Sequence, residues 1–292
     1  MIVFNALLYY LVIIPISLLP FPLLYGLSNF LFVIFYHVSG YRKKVVLQNI
    51  RNSFPEKTER EHIEICKKFY SHFCDLVVES LKTFTISEKE VLKRVICRNP
   101  QVIDKYFDQN RSVIIAGGHY NNWEIFAVAV DELIKHKTAG IYKPLSNKYF
   151  DAKMRSTRSK YGLNMISTKD VKKFLDENIN VPTATIFGTD QSPSNPNNAY
   201  WMNFLNQDTG VLYGTEKFAK EYNYPVVFGR LNKEKRGHYS LDFFDVTDKP
   251  QETAYGEITE KVTKILEKDI QAIPEYWLWT HRRWKHKRPE GK

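Results

Sequence analysis

The stretch Val113-Ile-Ile-Ala-Gly-Gly-His-Tyr-Asn-Asn-Trp-Glu124 is the clearest indication of the fold in this sequence. A short apolar run ends in Gly117 and Gly118, a histidine lies on the turn, and a helical pattern begins at Trp123. A buried strand followed by a turn and a helix is the repeating unit of α/β proteins. Ligands bind at such strand-end turns in open α/β sheets. The stretch therefore predicts a strand, a helix and a binding site between them.

The alternation of strands and helices continues along the chain. Apolar runs typical of strands lie at 112–116, 139–142, 164–167, 184–187, 225–229 and 239–244, and helical patterns lie at 123–135, 150–161, 170–177 and 213–222. Upstream, Thr58 and Glu61 form a capping-box pattern that opens an amphipathic helix, and Ile258 and Val262 mark a helix near the end. We predict a single α/β domain with a mostly parallel sheet flanked by helices. The loop 190–203, rich in Ser, Pro and Asn, is long enough to be functional.

The first 41 residues contain no Asp, Glu, Lys or Arg. They lack the basic start and small-residue cleavage site of a signal peptide, so we expect them to be retained. A continuous helix over 2–37 would be about 54 Å long against roughly 30 Å of bilayer hydrocarbon. Three prolines instead predict a helix to about residue 19, a bend and a second apolar helix over 23–37.

We therefore predict a hydrophobic membrane anchor at 1–41 and an α/β domain at 42–292. The basic run Arg42-Lys43-Lys44 follows the anchor at once, and such runs stay on the cytoplasmic side. Whether the anchor spans the bilayer or forms a shallow re-entrant hairpin stays open. The alternative is an apolar helix buried in a soluble core.

Composition excludes several classes of protein. The 292 residues carry 42 Lys+Arg against 32 Asp+Glu, a net charge of +10, with 43% hydrophobic and 25% charged residues. These values exclude a disordered or collagen-like chain. Three cysteines without a CxxC pair exclude a disulfide scaffold and a zinc ribbon. The positive charge suits a membrane surface or an acidic carrier protein. No helix-turn-helix, zinc-finger or RNP pattern accompanies it, so we expect no nucleic-acid partner.

The candidate chemistry centres on His119. Its ordinary pKa lies near neutrality, so it can take a proton from a hydroxyl group. Glu124 lies in the first turns of the following helix, and we expect its carboxylate to reach back, fix the imidazole tautomer and stabilise the imidazolium. No Ser or Cys stands beside the pair, so the hydroxyl would belong to the substrate. Without further context, a surface histidine after a glycine turn is the alternative interpretation.

With an apolar segment ahead of it, this arrangement resembles the His-X4-Asp/Glu motif of the glycerolipid acyltransferase superfamily. More specifically, the chain resembles the lipid A late acyltransferases, the lauroyl/myristoyl transferase branch. Further stretches carry the resemblance in colinear order: RKKVVLQNIRNSFP at 42–55, Tyr142-Lys143-Pro144 followed by Arg155 and Arg158, Gly188-Thr189-Asp190-Gln191, and PEYWLWTHRRWK at 274–285. The chain departs from the common pattern in having Glu rather than Asp at 124, which changes the reach of the carboxylate.

The resemblance implies a membrane-bound O-acyltransferase on the cytoplasmic face of the bacterial inner membrane. An acyl chain would pass from acyl-acyl carrier protein to a hydroxyl of a lipid A precursor, with His119 as general base oriented by Glu124. A thioester is already activated, so attack needs only a base, positioning and oxyanion stabilisation, and no metal or cofactor is expected. Coenzyme A is the alternative donor, and a lysophospholipid or an acylated amino lipid is the alternative acceptor. A non-catalytic lipid- or carrier-binding relative is the alternative outside the enzymes.

Five residues are candidates for binding the substrate. Arg155 and Arg158 lie one helical turn apart and can present two cations to a phosphate, or simply form a solvated basic face. The resemblance adds Lys143. Asp190 and Gln191 follow the predicted strand 184–187, so we expect them at the functional edge of the sheet with His119, where they line the acyl or acceptor pocket or stabilise a turn.

The C-terminal run alternates basic residues with Trp277, Trp279 and Trp284. Tryptophan interleaved with Arg and Lys suits the interface between water and anionic lipid headgroups. We therefore predict that this run contacts the membrane surface.

Overall fold

A computed structural model describes residues 2–291 of the chain. It begins with two apolar helical segments separated by a break at Leu19 and Pro20. The first comprises α1 (Ile2–Leu8), a π-helical stretch (Tyr9–Ile13) and α2 (Ile14–Leu18); the second comprises α3 (Phe21–Phe32) and a π-helical stretch (Val33–Val38). The first helical segment ends at Leu18 because Pro20 has no backbone N–H to continue the helical hydrogen bonds. This break agrees with the predicted bend.

Two helices, of 11 and 24 residues, connect this segment to the sheet. They are α4 (Lys43–Ser53) and α5 (Glu59–Lys82), followed by the short α6 (Glu88–Leu92). The capping box predicted at Thr58 is present: its hydroxyl accepts from the Glu61 amide, and the Glu61 carboxylate accepts from the Thr58 amide. The start of the amphipathic helix α5 is therefore fixed locally by sequence.

The centre of the domain is a seven-stranded sheet in the order β1-β9-β8-β2-β5-β3-β4. The strands are β1 (Val95–Cys97), β2 (Val113–Gly117), β3 (Lys137–Tyr142), β4 (Asn164–Ser167), β5 (Thr183–Gly188), β8 (Val226–Lys235) and β9 (His238–Thr247). The five strands from β8 to β4 are parallel, whereas β9 is antiparallel to β8 and β1 is parallel to β9. The predicted mostly parallel α/β fold is confirmed.

Helices cover both faces of the sheet. They are α7 (Gln101–Asp108), α8 (Trp123–Leu133), α9 (Lys148–Arg158), α10 (Val171–Glu177), α11 (Gly214–Tyr222) and α12 (Glu257–Ala272). Successive residues of β2 point to opposite faces and are buried on both, with Ile114 in the core shared with α5, α11 and α12, and Ile115 in the core shared with α7 and α8. This two-sided burial explains why β2 reads as a continuous apolar run.

The sequence missed several elements. β1, α6 and α7 had no predicted counterpart, and the predicted loop 190–203 ends in a strand of a separate hairpin, β6 (Ala199–Phe204) and β7 (Gln207–Leu212). β8 and β9 are also longer than their apolar runs, because their outer ends pair as a hairpin beyond the core. Backbone pairing extends strands where hydrophobic patterning gives no signal.

Candidate active site

The turn that carries His119 lies at the carboxyl end of β2, beside the end of β5. Gly117 is in register with Gly188, and the Thr189 amide and hydroxyl donate to the Gly117 carbonyl at 2.8 and 3.1 Å. Because β2 and β5 are parallel neighbours, their following residues meet at one edge of the sheet. His119 and Asp190 are brought together in this way, across 71 residues of sequence.

Asp190 holds His119 at two points. One carboxylate oxygen accepts from His119 Nδ1 at 2.7 Å, and the other accepts from the His119 backbone amide at 2.8 Å. That second oxygen also accepts from Trp277 Nε1 at 2.8 Å. The Asp190 side chain is 3% exposed, whereas the His119 side chain is 24% exposed. The carboxylate is therefore fully engaged inside the protein, while the imidazole reaches the surface.

The protonation states follow from these contacts. Burial alone raises the pKa of Asp190, but the charge and hydrogen bonds of His119 and the Trp277 donor outweigh it and lower the pKa to about 2. Burial likewise lowers the pKa of His119, and the Asp190 carboxylate outweighs that effect, so the net pKa lies above its ordinary value. An ionised carboxylate can only accept, so the Nδ1 of His119 carries a proton and Nε2 of the neutral ring has the free lone pair.

Gln191 lies against that lone pair. Its Nε2 is 3.1 Å from His119 Nε2, and with Nδ1 protonated the amide must be the donor. The next residue is fixed by the C-terminal segment, because the Ser192 amide donates to His281 Nε2 at 3.0 Å. Burial lowers the pKa of His281, which keeps this ring neutral and able to accept. The Gln191 side chain is exposed, so a hydrogen-bond donor from solvent or from a substrate could approach His119 Nε2 from the same side.

Glu124 has no hydrogen bond or ion pair with His119, so the prediction that its carboxylate reaches the imidazole is wrong, while a part for Glu124 in catalysis stays a prediction. Its two oxygens accept from Arg158 Nη2 at 2.6 Å and Arg158 Nε at 2.9 Å, and one oxygen also accepts from Trp123 Nε1 at 3.2 Å. The physical reason is position: Asp190 already occupies Nδ1, and a guanidinium matches a carboxylate at both oxygens. Glu124 acts on His119 only through its negative charge, which raises the pKa of His119 less than Asp190 does.

The same contact changes the expected role of the arginines. The charge of Arg158 is compensated by Glu124, and its side chain is 22% exposed. Among the described residues, the exposed Arg155 guanidinium has no hydrogen bond or ion pair. The predicted pair of free cations is therefore reduced to one on this helix. Lys143 is exposed at the end of β3, the strand beyond β5, and so lies at the same edge of the sheet.

Two glycines allow the close packing of the site. A Cβ at Gly118 would lie 2.7 Å from Leu266 Cδ2 and 3.3 Å from Asp190 Cγ, and a Cβ at Gly188 would lie 3.3 Å from His119 Cε1. The imidazole also packs edge-on against the Trp123 ring, with centroids 5.1 Å apart. Small residues at both strand ends therefore let the His119–Asp190 pair approach the sheet.

The turn itself is held by its two asparagines. Asn121 has a φ of 58°. Its side-chain Nδ2 donates to the Leu231 carbonyl at 2.7 Å, and its backbone amide donates to the Tyr276 carbonyl at 2.9 Å. Asn122 caps α8 by accepting from the Ile125 amide at 3.0 Å. Asparagine tolerates the left-handed conformation better than other non-glycine residues, which explains this residue type on the turn.

Part of the C-terminal run lies in the interior, so its predicted role at the membrane surface is wrong for Trp277, Trp279 and Arg283, whereas the other basic residues of the run, Arg282, Lys285, Lys287 and Arg288, are exposed. Trp277, Trp279 and Arg283 are only 2%, 0% and 3% exposed. Trp277 binds Asp190, and Tyr276 and His281 fix the two loops of the site. Sequence reasoning missed these supporting residues. Their aromatic and basic composition fits an interface as well as a core, and only the fold distinguishes the two.

The described residues contain no group of three or more His, Cys, Asp or Glu side chains placed to hold a metal ion. The expectation that the reaction needs no metal or cofactor stays a prediction. What the arrangement offers is an imidazole with Nδ1 fixed as a donor by Asp190 and Nε2 facing the exposed Gln191 side chain. Such a group can remove a proton from a hydroxyl and return it to a leaving group.

Comparisons with known proteins agree with the motifs. A family model described as bacterial lipid A biosynthesis acyltransferase matches residues 2–286. The chain is 23% identical over 281 residues to a lipid A biosynthesis acyltransferase of Haemophilus influenzae. It is 22% identical over 276 residues to a lipid A biosynthesis lauroyltransferase of Escherichia coli, and 21% identical over 279 residues to a palmitoleoyltransferase of the same organism. Each match covers 94% of this chain and 88% of the relative.

Proposed function

The chain belongs to the bacterial lipid A biosynthesis acyltransferase family, and from that premise we propose that it moves an acyl chain from acyl-acyl carrier protein to a hydroxyl of a lipid A precursor. The observation that carries the mechanism is the His119–Asp190 pair, with Nδ1 bound to Asp190 at 2.7 Å and Nε2 contacted by the exposed Gln191 side chain at 3.1 Å. His119 is the general base, and Asp190 is its positioning residue.

The reaction needs one proton to pass from the acceptor hydroxyl to His119 and then to the leaving thiolate. His119 Nε2 takes the proton of the acceptor hydroxyl as the oxygen attacks the thioester carbonyl. The tetrahedral intermediate collapses, the C–S bond breaks, and the imidazolium returns the proton to the leaving thiolate. Asp190 stabilises the imidazolium in between, because it is ionised and bound to Nδ1. The products are an ester and a free thiol.

Gln191 occupies the place of the acceptor hydroxyl in this mechanism. Its amide donates to His119 Nε2 at 3.1 Å, as the hydroxyl would before transfer. The side chain is exposed, so it can move aside when an acceptor enters. Arg155 and Lys143 are the cations left to meet an anionic group of the acceptor, since Arg158 is engaged by Glu124.

Membrane attachment is part of the proposal. The first 41 residues are free of charged side chains and form two apolar helical segments, and Phe21–Val38 is long and apolar enough to cross a bilayer. The basic residues that follow favour a cytoplasmic location for the domain. The net charge of +10 also favours an acidic carrier protein as donor. We therefore propose an enzyme of the cytoplasmic face of the inner membrane.

The test is an acyl-transfer assay with parallel donors and acceptors. Purified protein receives acyl-acyl carrier protein or acyl-coenzyme A, together with a lipid A precursor, a lysophospholipid or a monoacyl amino lipid, and mass spectrometry identifies the acylated product. Transfer from the carrier protein to the lipid A precursor supports the proposal. Transfer to another lipid keeps the mechanism and rejects the acceptor. No transfer from folded protein would favour the non-catalytic alternative.

A further inference from the structure

On the apolar N-terminal helices, several polar side chains are buried and many apolar side chains are exposed. Side chains that face the rest of the protein include Asn5, Ser17 and Ser28, which are 8%, 0% and 1% exposed. Those that face outward are apolar and at least 60% exposed: Val3, Phe4, Leu11, Leu18, Phe30 and Val38. A surface helix of a water-soluble protein has the opposite arrangement. The outer face of residues 2–38 is therefore matched to an apolar environment rather than to water.

The second apolar segment is bound to α5 along its whole length, and the two helices run antiparallel. Near the break, Lys82 Nζ donates to the carbonyls of Ser17 and Leu19 at 3.0 and 2.9 Å. Along α3, the Tyr25 hydroxyl donates to Glu79 at 3.0 Å. These contacts fix the start of Phe21–Val38 to the carboxyl end of α5.

Further along, the pairing continues without interruption. The Ser28 hydroxyl donates to Asp75 Oδ1 at 2.7 Å, and the Tyr36 and Tyr70 rings lie 5.7 Å apart. Asp75 also binds Arg236 of the β8–β9 hairpin at 2.6 Å, which ties α3 to the sheet. From Ser17 to Tyr36 the apolar segment therefore follows a helix of the α/β domain.

α5 cannot cross a bilayer. It carries Glu79, Asp75 and Lys82 on the side that meets α3, and charged residues in the hydrocarbon region are costly. If Phe21–Val38 stood across the membrane in this structure, these charges would lie at successive depths of the bilayer. The segment keeps its contacts with α5 only if it lies parallel to the membrane surface, with its outer face in one leaflet.

The first apolar segment lies beside α9, the helix of Arg155 and Arg158. Asn5 Nδ2 donates to Asn147 Oδ1 at 3.3 Å, and Lys153 Nζ donates to the Tyr10 hydroxyl at 3.2 Å. Lys153 also lies over the Tyr9 and Tyr10 rings, 4.5 and 5.1 Å from their centroids, and the exposed Lys148 begins the same helix. Cations bordering an apolar face suit anionic lipid headgroups, whereas a second copy of this chain would oppose like charges.

We propose that residues 2–38 lie within one leaflet of a lipid bilayer as an interfacial anchor, so that both ends of the segment are on the same side of the membrane. This inference rests on the proposed membrane attachment and fixes its geometry. It places α9 and the carboxyl edge of the sheet against the leaflet from which a lipid acceptor comes. A spanning anchor would instead put the two ends of the segment on opposite sides.

The test labels the two ends in the full-length protein. One variant carries a cysteine ahead of Met1 and another carries Ser39→Cys, both with Cys97→Ser because Cys66 and Cys74 are buried. A membrane-impermeant maleimide is added to intact spheroplasts and to lysed ones, with the exposed Lys287→Cys as the reference for the domain. The proposal expects all three cysteines to react only after lysis. Labelling of the N-terminal cysteine in intact spheroplasts overturns it.

Depth in the bilayer is the second readout. A fluorophore at Leu11, Leu18 or Phe30 is quenched by lipids that carry a spin label either near the headgroup or near the end of the acyl chain. We expect all three positions to be quenched more by the shallow label, with the exposed Tyr255 unquenched as control. Stronger quenching of Phe30 by the deep label overturns the proposal. So does a protein that leaves vesicles unbound and forms dimers through this face.

Acyl transfer by the same cysteine variants separates this inference from the proposed function. Transfer by a protein whose N-terminal cysteine reacts from outside keeps the function and rejects the interfacial anchor. Labelling only after lysis, without transfer to any acceptor, keeps the anchor and rejects the function.

Discussion

Replacing Asp190 by asparagine tests which carboxylate positions the base. Asp190 accepts three hydrogen bonds, from His119 Nδ1, the His119 amide and Trp277 Nε1. The introduced asparagine keeps two of them if its side-chain oxygen faces the His119 amide and Trp277. Its NH2 group then faces His119 Nδ1, which must become an acceptor. The proton moves to Nε2, and the ring can no longer take a proton from the acceptor.

The expected loss follows from this inversion of the tautomer. General-base catalysis contributes about 10²- to 10⁴-fold, so we expect Asp190→Asn to lower kcat by that factor, roughly 3–5.5 kcal/mol of transition-state stabilisation. The wild-type rate should rise with pH through a His119 pKa above its ordinary value. Removing the Asp190 charge lowers that pKa, so the acid limb of the residual activity should move to lower pH.

Glu124→Gln is the matched control, because it makes the same carboxylate-to-amide change at a residue that has no hydrogen bond or ion pair with His119. It breaks the two-point ion pair with Arg158 and leaves a poorly exposed guanidinium uncompensated. Losing one partner of a buried pair destabilises a protein by about 3–5 kcal/mol, an upper bound here because Arg158 retains some solvent. We therefore expect a lower Tm and a smaller shift of the acid limb.

The assay is the initial rate of acyl transfer from about pH 5 to 9, with Tm measured in the same detergent. If Glu124→Gln moves the acid limb while Asp190→Asn leaves it in place, Glu124 positions the base and the geometric reasoning is refuted. The comparison holds only for variants that still melt cooperatively.

Three further substitutions test the packing of the site. Trp277→Phe removes one donor from Asp190 and should lower kcat about tenfold, and it should also lower Tm because the smaller ring leaves a cavity in the interior; an unchanged kcat in the folded variant would mean that the hydrogen bond does not position Asp190. Gly118→Ala should lower the free energy of unfolding by roughly 1–3 kcal/mol because its Cβ would contact Leu266. Gly26→Ala, whose Cβ has no atom within 4 Å, should not lower it. Calorimetric Tm values of the two variants test the difference. Gln191→Ala should lower the KM for the acceptor roughly two- to tenfold, the worth of one neutral hydrogen bond, while a raised KM would identify Gln191 as an acceptor-binding residue.

Local signals in the sequence were reliable where a single segment determines its own structure. The capping box at Thr58 begins α5, and the prolines end the first apolar segment near Leu18. The parallel sheet followed from apolar runs that are buried on both faces, as in β2. The hairpin of β6 and β7 and the short β1 were missed because backbone pairing, rather than a hydrophobic pattern, defines them.

The sequence predicted the location of the site more accurately than the contacts between its residues. His119, Asp190 and Gln191 were all expected at one edge of the sheet, and the structure brings them within hydrogen-bonding distance. The partner of His119 was assigned to the nearest carboxylate in sequence. The contact with Asp190 depends on β2 and β5 being neighbours, although β3 and β4 lie between them in the chain. Strand order is a property of the whole fold, which short-range spacing does not reveal.

The most direct test of the central claim is the mass of a lipid A precursor after incubation with acyl-acyl carrier protein and either wild-type protein or His119→Ala. The account predicts that the precursor gains one ester-linked acyl chain with the wild type, and that the product is absent or greatly reduced with the folded variant. Equal product with both proteins would contradict His119 as the base. A folded wild-type protein that leaves the precursor unchanged would contradict the proposed acceptor.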